Sequence, residues 1–454
     1  MKWFTHPHPQ LPLTCLGLSL LVSGCATTPA PHALAPYQNL RDQAVVSNVI
    51  PAEFSAAEAA SLLELCIELN NQDDRNNPKL KDPEGQFQAK PDGWRLVYDS
   101  RHPGNTDWNK VWSWNGEGDN PNDIKTNGLK PLNNAWIMAE SKQDPGHIAI
   151  AIRGTVAEWT SILADAYAST IPAFGGVELP KNRSLPIAFA ATPSAEVHLG
   201  FAYAAFSLLF DQQRGILEQL QQRLATQPIN RITVTGHSQG AAVATLIHAF
   251  LYYATVDPQN PYQLPLKSKP ILKSYLFAQP KPGNLQFAQD FARIAGSTAF
   301  VVNNDRDPVP QVPLSLETVS EVTRFVTEDN VSVGGILNHV SDFFGDAKEA
   351  VRGSIAELFT GHVADDFENT GVKASVAKYF GNAPANNPEI HAKSLNYTLA
   401  GQLIPVFGVK EGGDCYTIGK QPDILLQHHA TSYRKLINAQ LLRRDSRCGN
   451  PNNP

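Results

Sequence analysis

The apolar and polar positions divide the chain into short elements of two periods. Between Ser55 and Leu69, Ala59, Leu62, Leu63 and Cys66 recur at helical spacing and predict an N-terminal helix, followed by a polar loop rich in Pro, Asn and Asp to about Asp92. Apolar runs at Trp94–Tyr98, Ala135–Ala139 and Ile148–Ile152, each bounded by Gly, Pro or Asn, read as strands. The pattern then alternates: a helix from Phe201 to about Leu224, a strand Ile232–Val234, a helix Gln239–Tyr253, and strands Ser274–Phe277 and Ala299–Val302. Alternation of this kind implies an α/β fold, a mostly parallel sheet covered by helices on both faces. Across 330–380, Ile336, Val340, Phe343 and Phe344, then Ile355, Leu358 and Phe359, mark an inserted helical segment that interrupts the sheet. A last strand Asn396–Phe407 precedes a terminal helix with Tyr433, Leu436, Ile437 and Leu441 on one face.

The beginning of the chain follows a different rule. Lys2 precedes an apolar stretch, Leu11–Val22, too short for a permanent span but suited to the core of a secretory signal. It ends in Val22-Ser-Gly-Cys25, which resembles the bacterial lipobox, whose cysteine is acylated after cleavage. The expected organisation is a signal at 1–24, a Pro/Ala-rich tether at 25–36 and an α/β domain over 37–454. Cys25 is then a lipid anchor in the bacterial cell envelope, and Ala26 behind it points to the outer membrane. A net charge of -6 without any Lys/Arg run argues against nucleic acid, so contact with the membrane is expected through the anchor.

Hydrophobic residues at 42% and charged residues at 18% describe an ordinary globular body. Beyond Cys15 and Cys25, the cysteines are Cys66, Cys415 and Cys448, which allow one intrachain disulfide at most. Cys415 and Cys448 lie in polar segments and are the expected pair, whereas Cys66 shares a helix's apolar face and reads as core. No CxxC or His/Cys cluster occurs, so neither a metal nor another cofactor is expected.

Gly236-His-Ser238-Gln239-Gly240 carries the chemistry. A strand leads into this G-x-S-x-G and an Ala-rich helix leads out, the strand-turn-helix context of a nucleophile elbow. In that architecture the acid and then the histidine follow along the chain. Asp307, just beyond the strand Ala299–Val302, is the candidate acid, with Asp305 as the alternative. Of the later histidines, His339 and His362 fall on helical segments and His391 in a polar loop. His428 and His429 lie between the apolar run Ile424–Leu426 and the terminal helix, and one of the two is the candidate base. Thr155, just past the strand Ile148–Ile152, and the Gln239 backbone N–H are the candidate oxyanion donors.

Together these residues resemble the class 3 lipase family, the fungal-type lipases and their bacterial and plant relatives. Ile150-Ala-Ile-Arg-Gly-Thr155 matches its oxyanion strand and Val197-His-Leu-Gly-Phe201 its helix opening; Ile232–Gly240 matches the elbow, with Gln239 and Ala241 in place of the commoner Leu and Gly. Phe277-Ala-Gln-Pro-Lys-Pro-Gly-Asn284 and Asp307-Pro-Val-Pro310 match the next two motifs, in the family's order. The resemblance implies an α/β-hydrolase with inserted helical segments, and a serine ester hydrolase (lipase or esterase) whose substrates are lipid acyl esters. Related members often place a Tyr five residues after the histidine, which selects His428 before Tyr433. A lid is expected between Val156 and Pro193, where the resembled lipases carry theirs and where apolar residues from Trp159 to Phe189 are broken by Gly and Pro; static packing of those residues on the sheet or on the 330–380 segment is the alternative. The stretch of about 120 residues between Asp307 and the His pair exceeds the family core. The competing reading is a non-catalytic or acyltransferase lipoprotein that binds a lipid or a partner.

Overall fold

A computed structural model describes residues 51–76, 89–101, 104, 106, 134–154, 170–179, 183–211, 213–255, 270–311, 397–409 and 426–444. Cys25, Thr155, His339, His362, His391, Cys415, Cys448, the signal, the tether and the 330–380 segment lie outside the described residues.

The centre is a seven-stranded sheet. Its strands are β1 (Trp94–Asp99), β2 (Trp136–Ser141), β3 (His147–Ile152), β8 (Arg231–His237), β9 (Ile271–Phe277), β11 (Ala299–Asn304) and β13 (Gln402–Val406), hydrogen-bonded in that order. β1, β2 and β3 run antiparallel, while the β3-β8-β9-β11-β13 part is wholly parallel. This is the mostly parallel sheet that the alternating pattern predicts, arranged as an α/β-hydrolase fold.

β3 shows why such strands read as unbroken apolar runs. All six of its residues are buried, and its two faces enter two different cores. Ile148, Ile150 and Ile152 join the cluster under helices α2 (Leu199–Phe210), α3 (Ile216–Thr226), α4 (Gln239–Thr255) and α5 (Leu285–Ala295). Ala149 and Ala151 face the other side, where the N-terminal helix α1 (Ala56–Asn76) packs through Leu62, Leu63 and Cys66. Small residues let α1 approach this part of the sheet closely. Helix α6 (Ala430–Leu436), continued by a π-turn over Ile437–Leu441, lies on the same face, and Arg434 pairs with Glu64 of α1 at 3.2 Å. The Cys66 thiol is fully buried beside the Thr235 hydroxyl, and burial pushes its pKa up to about 12, as suits a packing residue.

Three elements depart from the sequence pattern. The helix expected over 201–224 is two helices, because the Asp211 carboxylate accepts from the Gln213 and Arg214 N–H groups and ends α2. The strand expected over 396–407 is also two: β12 (Tyr397–Thr398) pairs with β10 (Gly283–Asn284), and β13 pairs with β11. Gly401, at φ 125°, turns the chain between them. The segment expected as a lid contains β4 (Thr170–Pro172), which pairs with β7 (Glu196–His198), and the hairpin of β5 (Phe174–Leu179) and β6 (Arg183–Ala188). Ile171 and Phe189 are fully buried in the main core cluster, as packing residues are; 155–169 lie outside the described residues.

Candidate active site

β8 and α4 meet at Ser238, whose φ of 61° is one that residues with a Cβ rarely adopt. Two glycines make this turn possible. A Cβ on Gly236 would lie 2.2 Å from the Gly240 carbonyl oxygen, and one on Gly240 would lie 2.3 Å from that of Ile152. The first turn of α4 therefore sits directly on the end of β3, and the Ile152↔Gly236 register brings the strand that leads to Thr155 beside the elbow. The Ser238 N–H donates to the Phe277 carbonyl at 3.0 Å, and the Ser238 carbonyl accepts from Ala241 N–H at 2.8 Å. Gln239 opens α4, which places its backbone N–H on the turn next to the serine.

β11 delivers the candidate acid. Its end turns at Asn304, whose carbonyl accepts from Asp307 N–H at 3.1 Å, and the Asp307 carboxylate is buried. One oxygen, Oδ1, accepts from Val309 N–H at 2.9 Å; the other, Oδ2, accepts from the Tyr433 hydroxyl at 2.7 Å and lies 2.9 Å from His428 Nδ1. Asp305 is used differently: it accepts from Gly408 N–H at 2.7 Å and steadies the chain leaving β13.

His428 ends a 3₁₀ turn, Leu426–His428, with Nε2 2.8 Å from Ser238 Oγ. Because a carboxylate accepts, Nδ1 carries the imidazole proton and Nε2 accepts from the serine hydroxyl. His429 precedes α6, and its carbonyl accepts from Ser432 and Tyr433 N–H. The structure thus brings Ser238, His428 and Asp307 into one hydrogen-bonded line.

Several supporting residues are not evident from the sequence. Asn304 Nδ2 donates to both the carbonyl and the side-chain oxygen of Gln427, and Gln427 Nε2 donates to the Val409 carbonyl. Tyr433, besides donating to Asp307, accepts from Asn304 N–H at 3.0 Å. His237 reaches the backbone of His428. Only Tyr433 left a sequence signal, its five-residue distance from His428. Among the described residues, no group of three His, Cys, Asp or Glu side chains is placed to hold a metal ion.

A buried serine, an imidazole and a carboxylate lie in line on a strand-turn-helix, the arrangement that serine hydrolases of the α/β-hydrolase fold use. Residues 149–317 match the model of the family described as Lipase (class 3). A secreted mono- and diacylglycerol lipase of Malassezia restricta is 30% identical over 165 residues, 36% of this chain and 46% of that protein. Secreted mono- and diacylglycerol lipase A of Penicillium cyclopium is 34% identical over 116 residues, 26% of this chain and 32% of its own length. The chain thus spans less than half the length of these curated relatives. Among solved structures, an MDLA mutant from Penicillium cyclopium aligns with a TM-score of 0.35 at 20% identity, covering 58% of this chain and 76% of that one.

Proposed function

We propose that this chain is a serine carboxylic-ester hydrolase that cleaves acyl esters of lipids. The observation that carries the proposal is the line from Ser238 Oγ to His428 Nε2 at 2.8 Å and from His428 Nδ1 to Asp307 Oδ2 at 2.9 Å. Ser238 attacks the ester carbonyl while His428 takes its proton; the tetrahedral oxyanion is held by Gln239 N–H and Thr155, a kind of donor worth about 3 kcal/mol each. His428 then returns the proton to the leaving alcohol. Water, activated by the same imidazole, releases the acid from the acyl-enzyme. Asp307, held by Val309 N–H and the Tyr433 hydroxyl, fixes the tautomer and faces the imidazolium as it forms.

The substrate class rests on the family match and on the printed names of the relatives, which are mono- and diacylglycerol lipases. A series of p-nitrophenyl esters run beside acylglycerol and phospholipid release assays tests it. Turnover should be lost by several orders of magnitude in Ser238→Ala and Asp307→Asn, both still folded. Near-normal rates in folded Ser238→Ala protein would end this reading. A protein that binds lipid without turnover would show no hydrolysis and no labelling by a fluorophosphonate probe.

For location, the proposal is a bacterial lipoprotein acylated at Cys25 and held in the outer membrane, on the strength of the lipobox-like Val22-Ser-Gly-Cys25. Several acyl chains give stable binding where one does not. Cys25→Ser should therefore move the protein from the membrane to the soluble fraction, and wild-type protein found free in the periplasm would refute the anchor.

A further inference from the structure

We infer that His237, the residue before the nucleophile, is a positioning residue that fixes the backbone of the base by donating a hydrogen bond from its Nε2 to the carbonyl oxygen of His428. The inference rests on the proposed serine-hydrolase reading and adds to it a residue that touches none of the reacting atoms.

The contact is 2.7 Å long. A carbonyl oxygen can only accept, so Nε2 of His237 carries the proton and its tautomer is settled. Both ring nitrogens of His428 are already engaged, Nδ1 with Asp307 and Nε2 with Ser238. Those bonds orient the ring, but where the ring can sit depends on where its backbone is placed. His428 belongs to a single 3₁₀ turn, too short to hold its own position, and Asn304 grips that turn one residue earlier, at Gln427. His237 grips it at His428 itself. Since His237 is covalently joined to Ser238, the result is a closed circuit from Ser238 Oγ through the His428 ring and backbone to His237 and back to Ser238. Nucleophile and base are thereby braced against each other, which a catalytic hydrogen bond between residues 190 positions apart requires.

The surroundings agree. The His237 ring is buried, 4.8 Å from the His428 ring between centroids and edge-on to Tyr433 at 5.7 Å. Burial, reinforced by His428, holds its pKa well below the usual histidine range. It therefore stays neutral when His428 becomes an imidazolium beside it, and no second cation opposes proton transfer.

Glutamine and methionine at this position separate the bond from the packing, because they are similar in size and only glutamine keeps an N–H donor. The experiment measures kcat and KM on p-nitrophenyl butyrate, the rate of fluorophosphonate labelling at Ser238, and the urea unfolding midpoint. His237→Met should lower kcat and the labelling rate together, on the order of 10- to 100-fold, with KM unchanged. His237→Gln should restore both to within about threefold of wild type. Equal rates in the two variants, or a wild-type kcat in His237→Met, would overturn the inference. If His237→Met does not fold, His237→Gln decides alone: retention within about threefold supports the brace, and a loss beyond about tenfold, or failure to fold with the donor present, rejects it. A wild type that labels but hydrolyses no ester removes the substrate reading and leaves the labelling comparison to judge His237. A wild type that does not label overturns both.

Discussion

Ser238 keeps a positive φ within tight surroundings, and one of these constraints, between α4 and β3, is Gly240 against Ile152. Gly240→Ala should therefore cost more than about 2 kcal/mol of stability in urea unfolding and remove activity, since the clash is with backbone that cannot rotate away. Wild-type values of both would mean that the first turn of α4 can lift from β3. Tyr433→Phe is subtler. It removes one donor from the Asp307 carboxylate and the acceptor for Asn304 N–H, both buried, so a loss of about 1–3 kcal/mol should accompany a fall in kcat. A loss of stability without loss of rate would assign Tyr433 to the fold alone. At this scale the G-x-S-x-G and the strand-end carboxylate were legible because each is a local pattern. The difference between His428 and His429 was not, since neighbouring residues of the same type differ only in which way the loop turns them. The family spacing to Tyr433 pointed to one of the two, and the hydrogen bond from Tyr433 to Asp307 gives that spacing a physical basis in this chain.

Among elements, legibility followed the strength of the period. The β3 and β8 strands stood out because both faces are buried, and the parallel order followed from their alternation with helices. Two of the misjudged boundaries sit where a side chain or a glycine interrupts an apolar run without changing its composition. Asp211 ends α2 by capturing N–H groups, and Gly401 sends the chain from one sheet to another. The polar links among Asn304, Gln427 and Val409 join segments far apart in sequence, which no window of residues reveals. In the stretch expected as a lid, Phe189 stacks edge-on with Phe206 at 5.3 Å and is fully buried. Phe189→Ala should cost about 3–5 kcal/mol in thermal unfolding. A cover that opens and closes would give a far smaller change, and that result would return Phe189 to the lid.

For the molecule as a whole, several buried histidines make stability depend on pH. Burial pushes His248 down to about 3 and, together with Arg231, pushes His147 down to about 4, whereas an unfolded histidine titrates near about 6.5. Between about pH 6.5 and pH 4 the unfolded chain takes up protons that the folded chain refuses. Their contribution is complete above pH 6.5 and is lost as the pH falls through that window, so urea midpoints should drop between pH 7 and 4.5. His248→Gln should flatten that slope, and an unchanged slope would assign the drop to other groups. A chain made from its N-terminus carries its candidate nucleophile long before its candidate base, because 190 positions separate Ser238 from His428. Until α6 docks beside α1, Ser238 lacks the His428 imidazole and Asp307 lacks the bond from Tyr433. On the proposed reading, a chain still short of α6 would have no line from Ser238 to Asp307, and the power to cleave esters would arrive in one step as α6 docks.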